Sequence, residues 1–394
     1  MLCKPLKTCA LPTIEDGCHA LPTIEDRIAD LEAMLKKTIP NKHTMKSILT
    51  LKSNIAKLRR EQVEQLSKKG GGGQGFGVRK TGDAVCALVG FPSVGKSTLL
   101  NYLTEGHTDS KVAAYDFTTV NCIPGIVSLH DITVQLLDLP GIIHGASAGK
   151  GRGREVLSAL RSVDMILIVL DFKDDGTLNN RIDMIRQELY NFGIRLNKHP
   201  PKITIIKQPK GGVGVTAAVR LTKMTREDVR TICMENRITN AHVTLYEDAS
   251  ADDLIDAILG NTMYVTSFVA INKVDLATQE ALDALPEVLA DTDYVLVSGN
   301  TGYNMDVLRE MMYEKLGLIR IFLKPKGKVA DLDKPMIVRK DSTIADVCRK
   351  IHKDFLTNFR FAKVWGKSAK HPGQIVHLHH VVQDDDLVSI FLKT

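Results

Sequence analysis

A chain of 394 residues, 44% apolar and 25% charged, is long enough for two or three domains and sits in the soluble globular range. No apolar run approaches the ~20 residues of a membrane helix, and MLCKPLKTCALPTIED lacks an apolar core of signal type, so a cytoplasmic protein with no membrane contact is expected. The net charge of +6 is modest, and the seven cysteines form no C-x-x-C pair, which suits a reducing compartment.

Residues 1–23 read as a flexible N-terminus, in which ALPTIED occurs twice, at Ala10–Asp16 and Ala20–Asp26. Two copies are too few for a solenoid, and Cys3, Cys9, Cys18 and His19 are too loosely spaced to argue for zinc. Ile24, Ile28, Leu31 and Leu35 recur at helical spacing, as do Met45, Ile48, Leu51, Ile55 and Leu58, with Pro40 and Asn41 between them. Residues 24–69 are therefore predicted to form an antiparallel helical hairpin. From Lys42 to Lys69, eight Lys or Arg stand against two Glu, which fits either a solvated helix face or contact with RNA or ribosomal phosphates. Glycine-rich residues 70–82 read as a linker.

From Asp83 the pattern alternates between strand and helix. AVCALVG (84–90), TVQLLDLPG (133–141), MILIVLDF (165–172), TSFVAINKVD (266–275) and YVLVSG (294–299) supply short apolar strands. They predict an α/β domain with a doubly wound, mostly parallel sheet over 83–176 and 241–316. Asp171 and Asn272 lie about a hundred residues apart, where one crossover needs ~30. A small α+β subdomain inserted at 177–240 accounts for the excess. Residues 317–394 predict a β-grasp module: strands in IRIFLKP and KPMIVRK, a helix from Asp341 to about Phe355, then strands in RFAKVWG and DLVSIFLKT.

Three motifs carry chemistry. GFPSVGKST (Gly90, Phe91, Pro92, Ser93, Val94, Gly95, Lys96, Ser97, Thr98) fits G-x-x-x-x-G-K-[ST] between a strand and a helix, the P-loop arrangement. Its glycines let backbone N–H groups face a β-phosphate, Lys96 reaches the β- and γ-oxygens, and the Ser97 hydroxyl suits Mg²⁺. Asn272, Lys273 and Asp275 form N-K-x-D at a strand end, where a buried Asp275 carboxylate would pair with guanine N1–H and N2 and would be left unpaired by adenine. That argues against an ATPase. Ser298 and Gly299 are placed to offer a backbone N–H to guanine O6. In D-L-P-G, Asp138 should reach Mg²⁺ through water and the Gly141 N–H should touch a γ-phosphate. Between these motifs, Thr119, or its neighbour Thr118, should close over Mg²⁺. The reading is a P-loop NTPase using GTP/GDP and Mg²⁺, with Lys96, Thr119 and Gly141 as catalytic candidates.

These motifs in this order resemble the Obg superfamily of translation-factor-like GTPases, and more closely the developmentally regulated GTP-binding (DRG) family. GFPSVGKSTLL, DFTTVNCIPG, LLDLPGII-GAS-GKGRGR, RLNKHPP and INKVD carry the resemblance, from about Ile24 to the C-terminus. It implies a GTPase domain whose insert is similar to domain 2 of ribosomal protein S5, and a C-terminal TGS domain of β-grasp form. It also implies ribosome or RNA as partner, together with a regulatory protein of the DRG family, the chain being a monomer or a heterodimer with that protein. His144 stands where the family has Glu, and Ser298-Gly299 where Ser-Ala is usual.

Ile142 follows D-x-x-G where many such proteins carry a water-orienting polar residue. The expectation is a slow intrinsic GTPase, helped by a group from elsewhere or by K⁺. Ser93 replaces the Asn common in K⁺-using relatives, and His144 is readable as a general base or as a solvated switch residue. The basic run Lys150, Arg152 and Arg154 could supply a cation or contact RNA. The leading reading is a GTP-driven switch on ribosomes. The alternative is a ribosome- or RNA-binding module in which nucleotide mainly stabilises the fold. His377, His379 and His380 read as an ordinary strand face rather than a metal site.

Overall fold

The computed structural model describes residues 23–41, 43–68, 80–104, 124–139, 159–173, 176–325, 332 and 335–393. Most of the doubled ALPTIED segment, most of the linker, Thr118, Thr119 and residues 140–154 lie outside them.

Helix α1 (Ile24–Lys37) begins at a capping box: the Asp26 N–H donates to Thr23 Oγ1 at 3.2 Å and the Thr23 N–H to Asp26 Oδ2 at 2.9 Å. Helix α2 (Met45–Lys68) follows a turn in which Asn41 Oδ1 accepts the Thr44 N–H at 2.9 Å. The chain then runs through β1 (Ala84–Val89), α3 (Lys96–Thr104), β2 (Pro124–Leu129), β3 (Ile132–Asp138), β4 (Met165–Asp171), α4 (Leu178–Asn191) and β5 (Ile194–Leu196). Next come β6 (Ile203–Lys207), β7 (Val213–Ala217), α5 (Arg226–Glu235), β8 (Ala241–Leu245) and α6 (Ala251–Leu259). It returns with β9 (Met263–Asn272), α7 (Gln279–Val288), β10 (Tyr294–Leu296) and α8 (Met305–Leu316).

The central sheet has the order β10-β9-β4-β1-β3-β2, with β5 beside the first half of β9. Its pairings are parallel except for the β2–β3 hairpin. Both faces are covered, as a strand apolar at every position requires. Val85, Ala87 and Val89 of β1 pack with Ile182, Ile185 and Leu189 of α4. Ala84, Cys86 and Leu88 pack on the other side with Leu99 and Leu103 of α3 and Leu308 and Met312 of α8. This is the doubly wound P-loop architecture.

The insert has different bounds from the predicted 177–240. Helix α4 buries its apolar face on the central sheet, so residues 178–196 belong to the nucleotide domain. Strand β8 pairs with both β6 and β7, and α6 closes the core beneath them, so the inserted unit reaches residue 259. That core also takes Leu49 of α2, which is 3% exposed, so hairpin and insert share one apolar interior.

The same contact reassigns much of the basic stretch. Lys52 pairs with Asp252 at 2.9 Å, Lys57 donates to the Glu235 carbonyl, and Arg59 pairs with Glu32 at 2.7 Å. Arg60 bonds Glu64 at 2.7 Å and the Leu259 carbonyl at 3.3 Å. Lys52, Lys57 and Arg60 tie the hairpin to the insert, and Arg59 joins its two helices.

The C-terminal unit contains β11 (Leu318–Leu323), β12 (Met336–Arg339), α9 (Ile344–Ile351), α10 (Lys353–Thr357), β13 (Phe359–Trp365), β14 (Gln374–Val376) and β15 (Asp386–Leu392). The sheet order is β12-β11-β15-β13-β14, and Ile344, Val347 and Cys348 of α9 cover one face. The predicted single helix is two, because His352 is extended (φ −167°, ψ 150°) and caps α10. Strand β14 takes only the start of the IVHLHH stretch, so His377, His379 and His380 lie in the turn after it rather than on a strand face. His380, one of the three clustered histidines, bonds Ser368 Oγ at 2.9 Å.

Candidate functional site

The C-terminal ends of β1, β3 and β9 converge, and the phosphate loop lies across them. Gly90 leaves β1 so close to β4 that a Cβ would sit 2.1 Å from the Val169 carbonyl oxygen. Ser93 (φ 63°) and Gly95 (φ 92°) take left-handed backbone, and a Cβ on Gly95 would sit 2.3 Å from Asn272 Nδ2. The chain can therefore curl tightly before α3 begins at Lys96, so the helix N-terminus faces the cleft.

Lys96 is 9% exposed, and its Nζ donates to the Gly90 and Phe91 carbonyls at 3.1 and 3.0 Å. Burial pushes its ammonium below the usual lysine range, with the Asp138 carboxylate acting in the opposite direction. Asp138 ends β3 and is 7% exposed. Its Oδ2 accepts the Ser97 hydroxyl at 2.7 Å, whereas its buried Oδ1 has no hydrogen-bond partner among the described residues. An orphaned carboxylate oxygen beside a serine hydroxyl, at the mouth of a phosphate loop, is a hard-oxygen donor set that fits Mg²⁺.

On the other side of the loop, the buried Asn272 clamps two segments. Its Nδ2 donates to the Val94 carbonyl at 2.9 Å, and its Oδ1 accepts the Gly299 N–H at 3.0 Å. Lys273, with φ 64°, donates through Nζ to the Ser93 carbonyl at 2.7 Å. Ser93, Gly95, Lys96, Ser97, Thr98, Asn272, Lys273 and Ser298 line one cavity of about 370 Å³. Gly90, Phe91, Pro92, Val94 and Gly299 shape the loops around it.

Two expectations change here. Asp275, argued to be buried, is exposed in the short 3-10 turn Val274–Leu276. In addition, the Ser298 and Gly299 N–H groups are already bonded, to the Tyr303 carbonyl and Asn272 Oδ1. The next residue, Asn300, lines the cavity and was missed, because its motif position carries no chemical signature. Arg181 of α4 was also missed. It bonds the Asp171 carboxylate at the end of β4 and lies 5.2 Å from the Phe91 ring centroid, bracing the loop from behind. Thr119 and Gly141 lie outside the described residues.

Residues 85–208 match the family described as 50S ribosome-binding GTPase, residues 210–318 the C-terminal region of that domain, and residues 319–392 the TGS domain. The chain is 46% identical over 376 residues to developmentally-regulated G-protein 3 of Arabidopsis thaliana, covering 95% of this chain and all of that one. It is 45% identical over 370 residues to developmentally-regulated GTP-binding protein 1 of Xenopus laevis, covering 93% and 98%. The chain belongs to the developmentally regulated GTP-binding family of the Obg superfamily. A 50% identical relative in Methanocaldococcus jannaschii, an uncharacterised GTP-binding protein, aligns over 374 residues, 94% of this chain and 93% of that one. As a DRG-family member the chain is a GTP-binding GTPase, and its last unit is a TGS domain. Among the described residues no helix is long and apolar enough to cross a membrane.

Proposed function

We propose that this GTPase is a slow molecular switch acting with ribosomes and RNA in translation. The observation that carries the reading is the joining of Lys96, the Ser97–Asp138 pair and the Asn272 clamp in one cleft. Lys96 would leave the Gly90 and Phe91 carbonyls for the β- and γ-phosphate oxygens, which restore the charge that burial disfavours. Ser97 and Asp138 would hold Mg²⁺, with Thr119 as a further ligand. Bound there, the ion neutralises phosphate charge. The Gly141 N–H would sense the γ-phosphate.

Base choice would rest on Asp275 accepting guanine N1–H and N2–H, and its carboxylate becomes desolvated only when the base is seated. Asn300 is the fifth-loop residue placed to meet the base edge. The apolar Ile142 cannot orient water, so intrinsic hydrolysis would be slow until a partner or K⁺ contributes. Ribosome contact accords with the family description of residues 85–208. A DRG-family regulatory protein as partner and a cytoplasmic setting belong to the same reading.

Single-turnover GTP hydrolysis in K⁺ and in Na⁺ buffer, each with and without ribosomes, tests the proposal. Acceleration by ribosomes is the expected result. K⁺ acceleration alone would place the missing group beside Ser93. If neither accelerates, the switch gives way to a binding module stabilised by nucleotide.

A further inference from the structure

Between Glu188 and Glu227 the sequence holds eight Lys or Arg and not one Asp or Glu. One of them, Arg195, is buried against Asp256. The other seven, Lys198, Lys202, Lys207, Lys210, Arg220, Lys223 and Arg226, are exposed, and among the described residues none is in an ion pair. Four of the hairpin's cations are consumed inside the molecule, whereas these are not.

Register and the adjoining turns place five of them, Lys198, Lys202, Lys210, Arg220 and Lys223, around one open surface. Ile203, Ile205, Val243 and Leu245 point into the insert's core, so Thr204 and Ile206 of β6 lie on the outer face, opposite Thr244 and His242 of β8. Thr216 of β7 continues this row and bonds His242 at 3.1 Å. One end of the face carries Lys198, Lys202, Arg220 and Lys223. The other end carries Lys210, some 17 Å away for a five-residue strand, whereas Lys207 shares the parity of Ile203 and Ile205 and lines the cleft beside the hairpin. Glu247 and Asp248 stand at the first end, but both already accept hydrogen bonds from Lys202, Thr222 and Lys223 backbone or hydroxyl groups.

We infer that this outer face of the insert binds double-helical RNA through its phosphates and 2′-hydroxyls. The inference rests on the RNA-directed reading above. A protein partner would call for a charge-poor centre with aromatic anchors, and here cations rim a face of threonine hydroxyls. Single strands are held by stacking on several aromatic rings, and this face offers Tyr246 and the His242 imidazole. Duplex RNA is read by shape, through backbone contacts on either side of a shallow, hydroxyl-lined groove. A cationic cluster at one end and Lys210 at the other, flanking three threonines, match that chemistry.

The test uses the full chain with GDP, a 20-base-pair RNA duplex, a uridine 20-mer and poly-glutamate. The Lys198→Gln/Lys202→Gln/Lys210→Gln/Arg220→Gln variant is compared with a charge-matched control, Lys36→Gln/Lys37→Gln/Lys46→Gln/Lys353→Gln. The face variant should bind duplex about tenfold or more weakly near 0.15 M salt. Its log–log salt slope should be shallower by roughly one per lost contact, with GDP affinity unchanged and the control within about threefold of the parent. Equal loss in the control, no loss in the face variant, tighter binding of the uridine strand, or equal competition by poly-glutamate would each overturn the assignment. If ribosomes still accelerate hydrolysis by the face variant as they do the parent's, the switch survives and this surface does not. If they accelerate neither and the parent binds no RNA, both readings fall.

Discussion

The hairpin–insert body and the TGS domain both attach to the nucleotide-binding sheet, but by different physics. At the hairpin end, Leu49 is part of the insert's core, and Arg195 sits 9% exposed with two 2.8 Å bonds to Asp256. Arg195 also lies 3.7 Å from the Tyr190 ring centroid, so α4, β5 and α6 meet on one guanidinium. At the TGS end, α8 runs straight into β11 through Gly317 (φ 57°). Ile337 and Leu318 reach the sheet domain's core, but each polar link there has one solvent-facing partner. Arg339, 75% exposed, pairs with Asp164 at 3.1 Å, and Arg320 with Asp131 at 3.2 Å. Buried links tolerate no missing partner, whereas exposed ones are screened and cheap to lose. The hairpin, insert and sheet should therefore behave as one body, and the TGS domain as a separable one.

Removing the Asp256 carboxylate tests this comparison most severely. Asp256→Ala leaves Arg195 buried without its partner and should cost about 3–5 kcal/mol, read from urea unfolding by far-ultraviolet circular dichroism. A loss below about 1 kcal/mol would mean that water reaches Arg195 and that the junction is not a dry core. Leu49→Ala should follow at about 2–5 kcal/mol. Its signature is spatial: amide exchange should quicken in β7 and β8 of the insert as well as in α2. Quickening confined to α2 would separate the two units.

Asp131→Asn with Arg339→Ala probes the other end, leaving the bonds of Arg320 to Asp384 and Asp385 inside the TGS unit intact. The expected cost is about 1 kcal/mol or less, shrinking further at high salt. Trp365, the single tryptophan of the chain, lies on β13, so its fluorescence reports the TGS unit alone. Should the double variant shift that transition by several kcal/mol, the claim of a separable domain fails.

What could be read in advance follows from how local the signal is. The P-loop is legible because strand, glycines, Lys96 and Ser97 are contiguous, and N-K-x-D because Asn272 ends an apolar strand. The insert's bounds were misjudged because α4 and β8 look alike in sequence, and only partner choice assigns one to the sheet and the other to the insert. Arg195, Asp256 and Arg181 carried no signal at all, since their partners lie 61 residues away or on another element's ring. The fifth-loop donors failed for a subtler reason. The motif names the loop, but whether an N–H is free depends on Asn272 reaching across 27 residues to take it.

The smallest predicted effect lies inside the TGS unit and fixes its sign independently of the junctions. Asp346 accepts the Thr343 N–H at 2.9 Å and its hydroxyl at 2.7 Å, closing the capping box at the start of α9. The Thr343 backbone bond, then its hydroxyl, hold the Asp346 carboxyl below the usual carboxylate range. A depressed folded-state value means that the native state binds fewer protons than the unfolded chain there. The contribution is thus present above the unfolded value of 3.8 and is lost as pH falls through the folded one. Asp346→Asn keeps an acceptor and drops the charge, so it should lower the Trp365-reported midpoint slightly at pH 7 and converge with the parent as pH falls below the depressed native value. Because the carboxylate is largely exposed, the gap should be small and salt-sensitive. A gap that persists unchanged at acid pH would show that geometry rather than charge sets the cap.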